Sequence, residues 1–367
     1  MLPRQAVFLV GGRGTRLGRL TDSTPKPLLT VGDRPFLDHL IDEAIRFGAE
    51  RILLLCGYHA HAIAHHYANR RFAGAELSIV VETEPAGTGG ALRNAAPQLD
   101  DVFFLTNGDS CFDINWLDLP AREVEGEWVG RMALRAVPPG GRYGRVTLHG
   151  DRVTAFHAAA PDRAGPMNAG LYVLRSAVLD WIDRVPCSLE QDVFPRLAIA
   201  GLLTGQVYDS FFLDIGVPED FSRAQTEVPA LLHRPAAFLW LTGVLRHNEG
   251  AAAVKLLNDH GYYVFILSAP GDCADHSQIS KDLRVVGAHI DDMESLTINS
   301  VTGLPTTASR CLERWPVNLP GSFVVAGCQG DLEATAAAGL PCHLLSGGSL
   351  LDFVATQIQA AGQPLTR

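Results

Sequence analysis

VGGRGTRL, residues 10–17, closes the apolar run AVFLV of residues 6–10 and is followed by PKPLL, residues 25–29. A short apolar run ending in glycines reads as a buried strand giving way to a turn. Without Cβ atoms, such a turn lets backbone N–H groups approach a polyphosphate. Arg13 and Arg16 add positive charge there. The turn is not a Walker loop, which ends in Gly-Lys-Ser/Thr, and its glycine spacing does not match the dinucleotide fingerprint. In Pro25-Lys26-Pro27, two prolines stiffen the chain around one cation and reduce the entropy lost in aiming it.

Outward from this turn, short apolar runs at residues 6–10, 51–56, 77–81 and 102–106 read as strands, with helices opening at 36–47 and 89–94. That alternation predicts an α/β fold with a doubly wound, Rossmann-like sheet. After Trp128 the pattern becomes strand, turn and strand, with Pro138, Pro139, Gly140 and Gly141 before residues 145–148 and 152–156; hairpins of this kind are expected to form a lid or side wall. A proline-flanked mixture at 227–235 interrupts the order, and a new strand at 236–241 opens a second alternating series. The expected division is therefore 1–228 and 234–367.

The 367 residues, 47% apolar, suffice for two packed cores, and the formal net charge of -10 argues against a nucleic-acid partner. Seven cysteines without a CxxC pair point to reduced thiols in a cytoplasm, and no long apolar stretch suggests a membrane span.

GGRGTRL followed by PKPLL resembles the signature of the sugar nucleotidyltransferases, and the resemblance runs over residues 5 to 225. It implies that Gly11, Gly12, Gly14 and Thr15 line the phosphates of a nucleoside triphosphate, while Arg16 and Lys26 neutralise charge during transfer to a sugar 1-phosphate. The run at 102–106 leads into Asn107, Gly108 and Asp109, which places a carboxylate at a strand's carboxyl end, where ligands bind in such sheets. Asp109 is the first expected metal ligand; the resemblance makes Asp214, in FLDIGVPED, the second, and Asn107 and Gly108 part of the nucleotide site. Two carboxylates with substrate phosphates and water suffice for Mg2+.

ETEPAGTGGAL, residues 82–92, is similar to the family's base-enclosing loop, with Gly87, Thr88 and Gly89 in contact. On the sugar side, the resemblance assigns Tyr143, Gly144, Asn168 and Glu190. Relatives carry Glu-Lys after the phenylalanine matching Phe156, the lysine gripping the sugar phosphate, whereas this chain reads His157, Ala158, Ala159. Arg163 or His157 are candidate substitutes. The loop and NAGLYVL look most like heptose 1-phosphate guanylyltransferases, with mannose-1-phosphate guanylyltransferases next, so GTP is the expected donor. His59, His61, His65 and His66 lack the glutamate of an HExxH site and are read as a solvated helix face.

The second series resembles haloacid-dehalogenase-like phosphatases, heptose bisphosphate phosphatases among them. The two acids of that family's first motif are replaced here by Trp240 and Thr242, and the late acidic motif keeps Asp331 but has Gly327 for its first acid. An inactive domain with a docking, homo-oligomerising or regulatory role is the expectation. The rival readings are a silent nucleotide-sugar-binding regulatory subunit and a bifunctional enzyme with residual phosphatase activity.

Overall fold

The computed structural model describes residues 2–72, 74–122, 126–139, 142–158, 164–241, 249–269, 276–295, 306–331, 339–345 and 347–362; Ala159, Arg163 and Thr242 lie outside these residues. The chain divides into two compact units, 1–229 and 230–367.

The first unit is built on β1 (Gln5–Leu9), β2 (Thr30–Val31), β3 (Arg34–Pro35), β4 (Arg51–Cys56), β5 (Glu76–Val81), β6 (Val102–Asn107), β7 (Ser110–Phe112), β8 (Gly130–Val137), β9 (Arg145–His149), β10 (Arg152–His157), β11 (Gly165–Arg175), β12 (Leu203–Tyr208) and β13 (Phe212–Asp214). Nine of these form one sheet in the order β5-β4-β1-β6-β11-β8-β12-β10-β9. β5, β4, β1 and β6 run parallel, β11 is antiparallel to both its neighbours, and β12 is parallel to β8. The sheet is thus mixed. The β9/β10 hairpin forms its edge, so the expected side wall is an extension of the same sheet rather than a separate layer.

Helix α1 (Phe36–Arg46) shows why the half-buried pattern folds as it does: Phe36, Leu37, Leu40, Ile41 and Ala44 recur at helical spacing and are all buried. Full burial of each large side chain contributes about 1.5–3 kcal/mol. Asp38, on the same helix and fully buried, is satisfied by the Tyr67 hydroxyl at 2.8 Å and by Arg70. Tyr67 ends α2 (Ala60–Tyr67), along which His61 and His65 are exposed.

The stretch 227–235 contains the division between the two units, and its first part is the end of a continuous helix, Pro218–Leu232, with Pro229 inside it. The Pro229 ring packs on Gly32, whose positive φ of 66° favours glycine; a Cβ there would meet the ring at 3.0 Å. The second unit holds β14 (Ala236–Trp240), β15 (Tyr263–Ser268), β16 (Asp292–Ser295), β17 (Phe323–Ala326) and β18 (Cys342–Leu344) in a five-stranded sheet of order β16-β15-β14-β17-β18. Every pairing in it is parallel. Its central strands β14 and β15 are buried throughout, as expected for a sheet covered on both faces. Among the described residues, no helix is long and apolar enough to cross a membrane.

Candidate active site

β1 lies between β4 and β6, and its last residue, Leu9, is in register with Asn107 of β6. The glycine turn therefore leaves the sheet beside the segment that carries Asp109. Gly14 adopts a left-handed φ of 64° and precedes a 3-10 turn over Thr15–Thr21. A Cβ at Gly14 would press on Thr21 at 3.1 Å and on Lys26 Cβ at 3.2 Å, so the turn and the lysine pack directly together. Among the described residues, the backbone N–H groups of Gly11, Gly12, Arg13, Gly14, Thr15 and Arg16 find no protein acceptor. Such a run of free donors suits an anionic oxygen cluster.

Asp109 and Asp214 come from sequence positions far apart, and a two-stranded ribbon joins them. β13 pairs with β7 so that Asp214 faces Ser110, and Ile215 N donates to Asp109 O at 3.0 Å. Lys26 Nζ lies 2.5 Å from Asp109 Oδ2 and 3.2 Å from Asp214 Oδ1. The lysine is buried in a 3-10 turn between its two prolines, whereas the Asp109 side chain stays 34% exposed. Arg16 reaches the same place: a Cβ on Gly216 would meet Arg16 Nη2 at 2.9 Å and Asp214 Oδ1 at 2.8 Å.

Two hard oxygen donors already facing a cation suit a small divalent ion that keeps water and phosphate ligands. Among the described residues, no group of three or more His, Cys, Asp or Glu side chains could hold a metal by itself.

A cleft of about 590 Å³ opens beside these groups, lined by Gly11, Gly12, Arg13, Gly57, Tyr58, Glu82, Gly87, Thr88, Asn107, Asp109 and Glu190 among others. Gly87, at φ 74°, begins α3 (Gly87–Asn94) and lies so close to Cys187 that a Cβ would meet its carbonyl oxygen at 2.5 Å. The Thr88 hydroxyl donates to Glu190 Oε2 at 2.8 Å and accepts from Leu189 N at 2.8 Å. Two hydrogen bonds at Thr88 thereby tie the expected base loop to the expected sugar segment.

The remaining expected residues occupy different positions. Gly89 is buried against Cys187 Sγ, and Gly108 sits behind the cleft, where a Cβ would strike Val10 at 2.3 Å. Asn168 donates to the Tyr172 hydroxyl at 2.7 Å and accepts from Gly170 N at 3.0 Å, holding an irregular stretch of β11. Tyr143 packs edge-on against Phe212, two residues before Asp214. Burial, reinforced by Asp214, pushes its hydroxyl up to about 12. Gly144 lies against His157, where a Cβ would meet the backbone oxygen at 2.7 Å. His157 itself is exposed and spends Nε2 on the Thr147 hydroxyl at 2.8 Å.

Sequence reasoning passed over two charged groups. Glu82 lines the cleft with its carboxylate against Gly57, a Cβ there meeting Oε2 at 3.0 Å, and burial raises its pKa above the usual carboxylate value. Arg142 stands next to Tyr143 with its guanidinium 4.9 Å from the ring centroid. Glu82 was legible only as part of a loop, and Arg142 as one of many surface arginines.

The nucleotidyl transferase family matches residues 5–230. The chain belongs to the nucleotidyl transferase family. Over 226 residues it is 29% identical to the D-glycero-alpha-D-manno-heptose 1-phosphate guanylyltransferase of Aneurinibacillus thermoaerophilus, covering 61% of this chain and 98% of that protein. It is 34% identical over 256 residues to the mannose-1-phosphate guanylyltransferase of Mycobacterium tuberculosis, covering 67% of this chain and 70% of that one. The crystal structure of HddC from Yersinia pseudotuberculosis complexed with GMP-PN is similar with a TM-score of 0.55 at 26% identity, over 61% of this chain and 99% of that one. All three likenesses fit a nucleotidyltransferase with the mixed α/β sheet described above.

Proposed function

We propose that the first unit of this nucleotidyl transferase moves a nucleotidyl group from a nucleoside triphosphate to a sugar 1-phosphate and releases pyrophosphate, with GTP as donor and a heptose or mannose 1-phosphate as acceptor. The observation that carries this reading is the Lys26 ammonium set between Asp109 and Asp214 and packed against a turn of unpaired N–H groups. The guanylyltransferase names of the relatives support the choice of base and sugar.

A phosphate monoester has its second pKa at about 6, so the acceptor oxygen is already anionic at neutral pH and needs no general base. That oxygen forms a bond to the α-phosphorus as the bond from the α-phosphorus to the bridging oxygen breaks, and the electron pair leaves on pyrophosphate. The N–H groups of Gly11 to Arg16 hold the departing phosphates, and Lys26 and Arg16 offset the charge that gathers on the crowded phosphorus. Asp109 and Asp214 would hold Mg2+, which when bound supplies further neutralisation of phosphate charge. Thr88 and Glu190 brace the two loops around the cleft.

For the second unit we propose a phosphatase-like fold without phosphatase chemistry, serving docking, self-association or regulation. Trp240 ends the central strand β14 and is 2% exposed, so an indole, which can neither attack phosphorus nor ligate a metal, fills the strand end. Gly327 follows β17 where a second acid would be needed.

Pyrophosphate release, measured with each nucleoside triphosphate in turn against heptose and mannose 1-phosphates in the presence of Mg2+, tests the transferase. GTP should give the fastest release. No turnover with any pair would overturn this reading in favour of a silent, ligand-binding regulatory subunit.

A further inference from the structure

We propose that Arg142 binds the phosphate of the incoming sugar 1-phosphate, an inference that rests on the transferase reading above. Arg142 and Lys26 approach the same carboxylate from its two oxygens: Lys26 Nζ is 3.2 Å from Asp214 Oδ1, and Arg142 Nη2 is 3.5 Å from Asp214 Oδ2. The guanidinium is therefore one carboxylate away from the buried lysine around which the reacting phosphorus must sit, and on the side where Tyr143 stands.

An arginine serving only as a structural anchor gains most from a two-pronged grip on one carboxylate. Arg142 does not do this. Its Nη2 alone serves both acids, Asp220 Oδ2 at 2.7 Å and the more distant Asp214, and among the described residues its Nε and Nη1 have no protein acceptor. The side chain is 35% exposed, so that unused edge is not sealed in the interior. Its plane is nevertheless held, because the guanidinium rests on the Tyr143 ring and Asp220 is itself fixed by Arg223 at 3.0 Å. Arg223 is in turn matched by Glu227 at 2.9 Å, so its own charge is already taken up at the far side of Asp220. A planar donor fork that is fixed in place, half-open and unused along one edge has the form of a phosphate clamp.

Charge balance points the same way. Around this point Lys26, Arg16 and Arg142 face Asp109, Asp214 and Asp220, so the protein groups alone are close to neutral. A divalent cation on Asp109 and Asp214 would leave the cluster two charges positive, an excess that favours the phosphates that must meet there. His157 makes a poorer clamp, since its Nε2 is already engaged by Thr147.

The test is steady-state kinetics of the full chain carrying Arg142→Met or Arg142→Lys, with inorganic phosphate as a competitive probe against the sugar 1-phosphate. In Arg142→Met, KM for the sugar 1-phosphate should rise about tenfold or more, and the inhibition constant of inorganic phosphate should weaken in parallel. KM for the nucleoside triphosphate should stay within about twofold, and Arg142→Lys should recover part of the loss. Thermal melting of both variants identifies any that fail to fold. A folded Arg142→Met with an unchanged KM for sugar phosphate, or with both KM values raised together, overturns the assignment while leaving the transferase reading intact. A wild-type protein without turnover on any substrate pair defeats the transferase reading, and this inference with it.

Discussion

Lys26 Nζ and Asp109 Oδ2 lie 2.5 Å apart although 83 positions separate them in the chain, and Asp214, 188 positions from the lysine, completes the contact at 3.2 Å. The lysine is buried while Asp109 is one-third exposed, so the ammonium is the inner member of the pair and the Asp109 carboxylate faces outward. Removing the cation takes away the ammonium that Asp109 and Asp214 share and leaves the two carboxylates close together.

Lys26→Met should therefore lower turnover by about a hundredfold or more and should also lower the melting temperature, since an unpaired ionised group at a partly buried site is destabilising. Added Mg2+ should restore much of the lost stability, because a divalent ion supplies the charge that the two aspartates lack, and Asp109→Asn in the same background should abolish that rescue. Melting curves with and without Mg2+ check this. A variant as stable as the wild type and indifferent to Mg2+ would show that the pair does not hold a metal.

Glu82 lines the cleft proposed to take the base with a carboxylate. Guanine offers adjacent N–H donors that a carboxylate can accept together, and Glu82→Gln turns one acceptor into a donor. The ratio of kcat/KM for GTP to that for ATP should fall about tenfold to a hundredfold. An unchanged ratio would move base selection elsewhere in the loop.

Gly87→Ala tests the steric argument at the base loop. At φ 74° and 2.5 Å from the Cys187 carbonyl oxygen, a methyl group cannot be placed without shifting residues 86–89 or 187. Destabilisation of about 1–3 kcal/mol is expected, with a raised KM for the triphosphate. Denaturant titration and nucleotide kinetics measure the two effects, and wild-type values for both would mean that the loop is not held as described.

Alkaline pH should weaken the fold. Burial raises the hydroxyl pKa of Tyr67, Tyr143, Tyr172, Tyr208 and Tyr262, to about 12 for Tyr143. Free tyrosine ionises at about 10, so above that pH the unfolded chain releases protons that the folded chain retains. The stability held by the neutral phenols is complete below about pH 10 and is lost as pH rises through the folded values. Melting temperatures should fall from pH ~9 to pH ~11, with phenolate absorbance from these side chains appearing only on unfolding. Full phenolate absorbance from the intact fold would contradict it.

The sequence by itself determined the parts that depend on near neighbours in the chain. The apolar runs at 6–10, 51–56 and 102–106 are strands because they are short, continuous and bounded by turn residues, and the glycine turn and the Pro25-Lys26-Pro27 cation follow from local backbone chemistry. Only tertiary structure could decide what depends on chain ends meeting across the sheet. β11 inserts antiparallel between β6 and β8, and the β7/β13 ribbon sets Asp214 beside Asp109. It also decided that Asn168 serves β11, that Thr88 is tied to Glu190, and that Arg142 shares Asp214 with Lys26. Helical and strand periodicity reports which side of an element is buried but not which distant element covers it, and long-range pairing is where the chemistry of this protein is assembled.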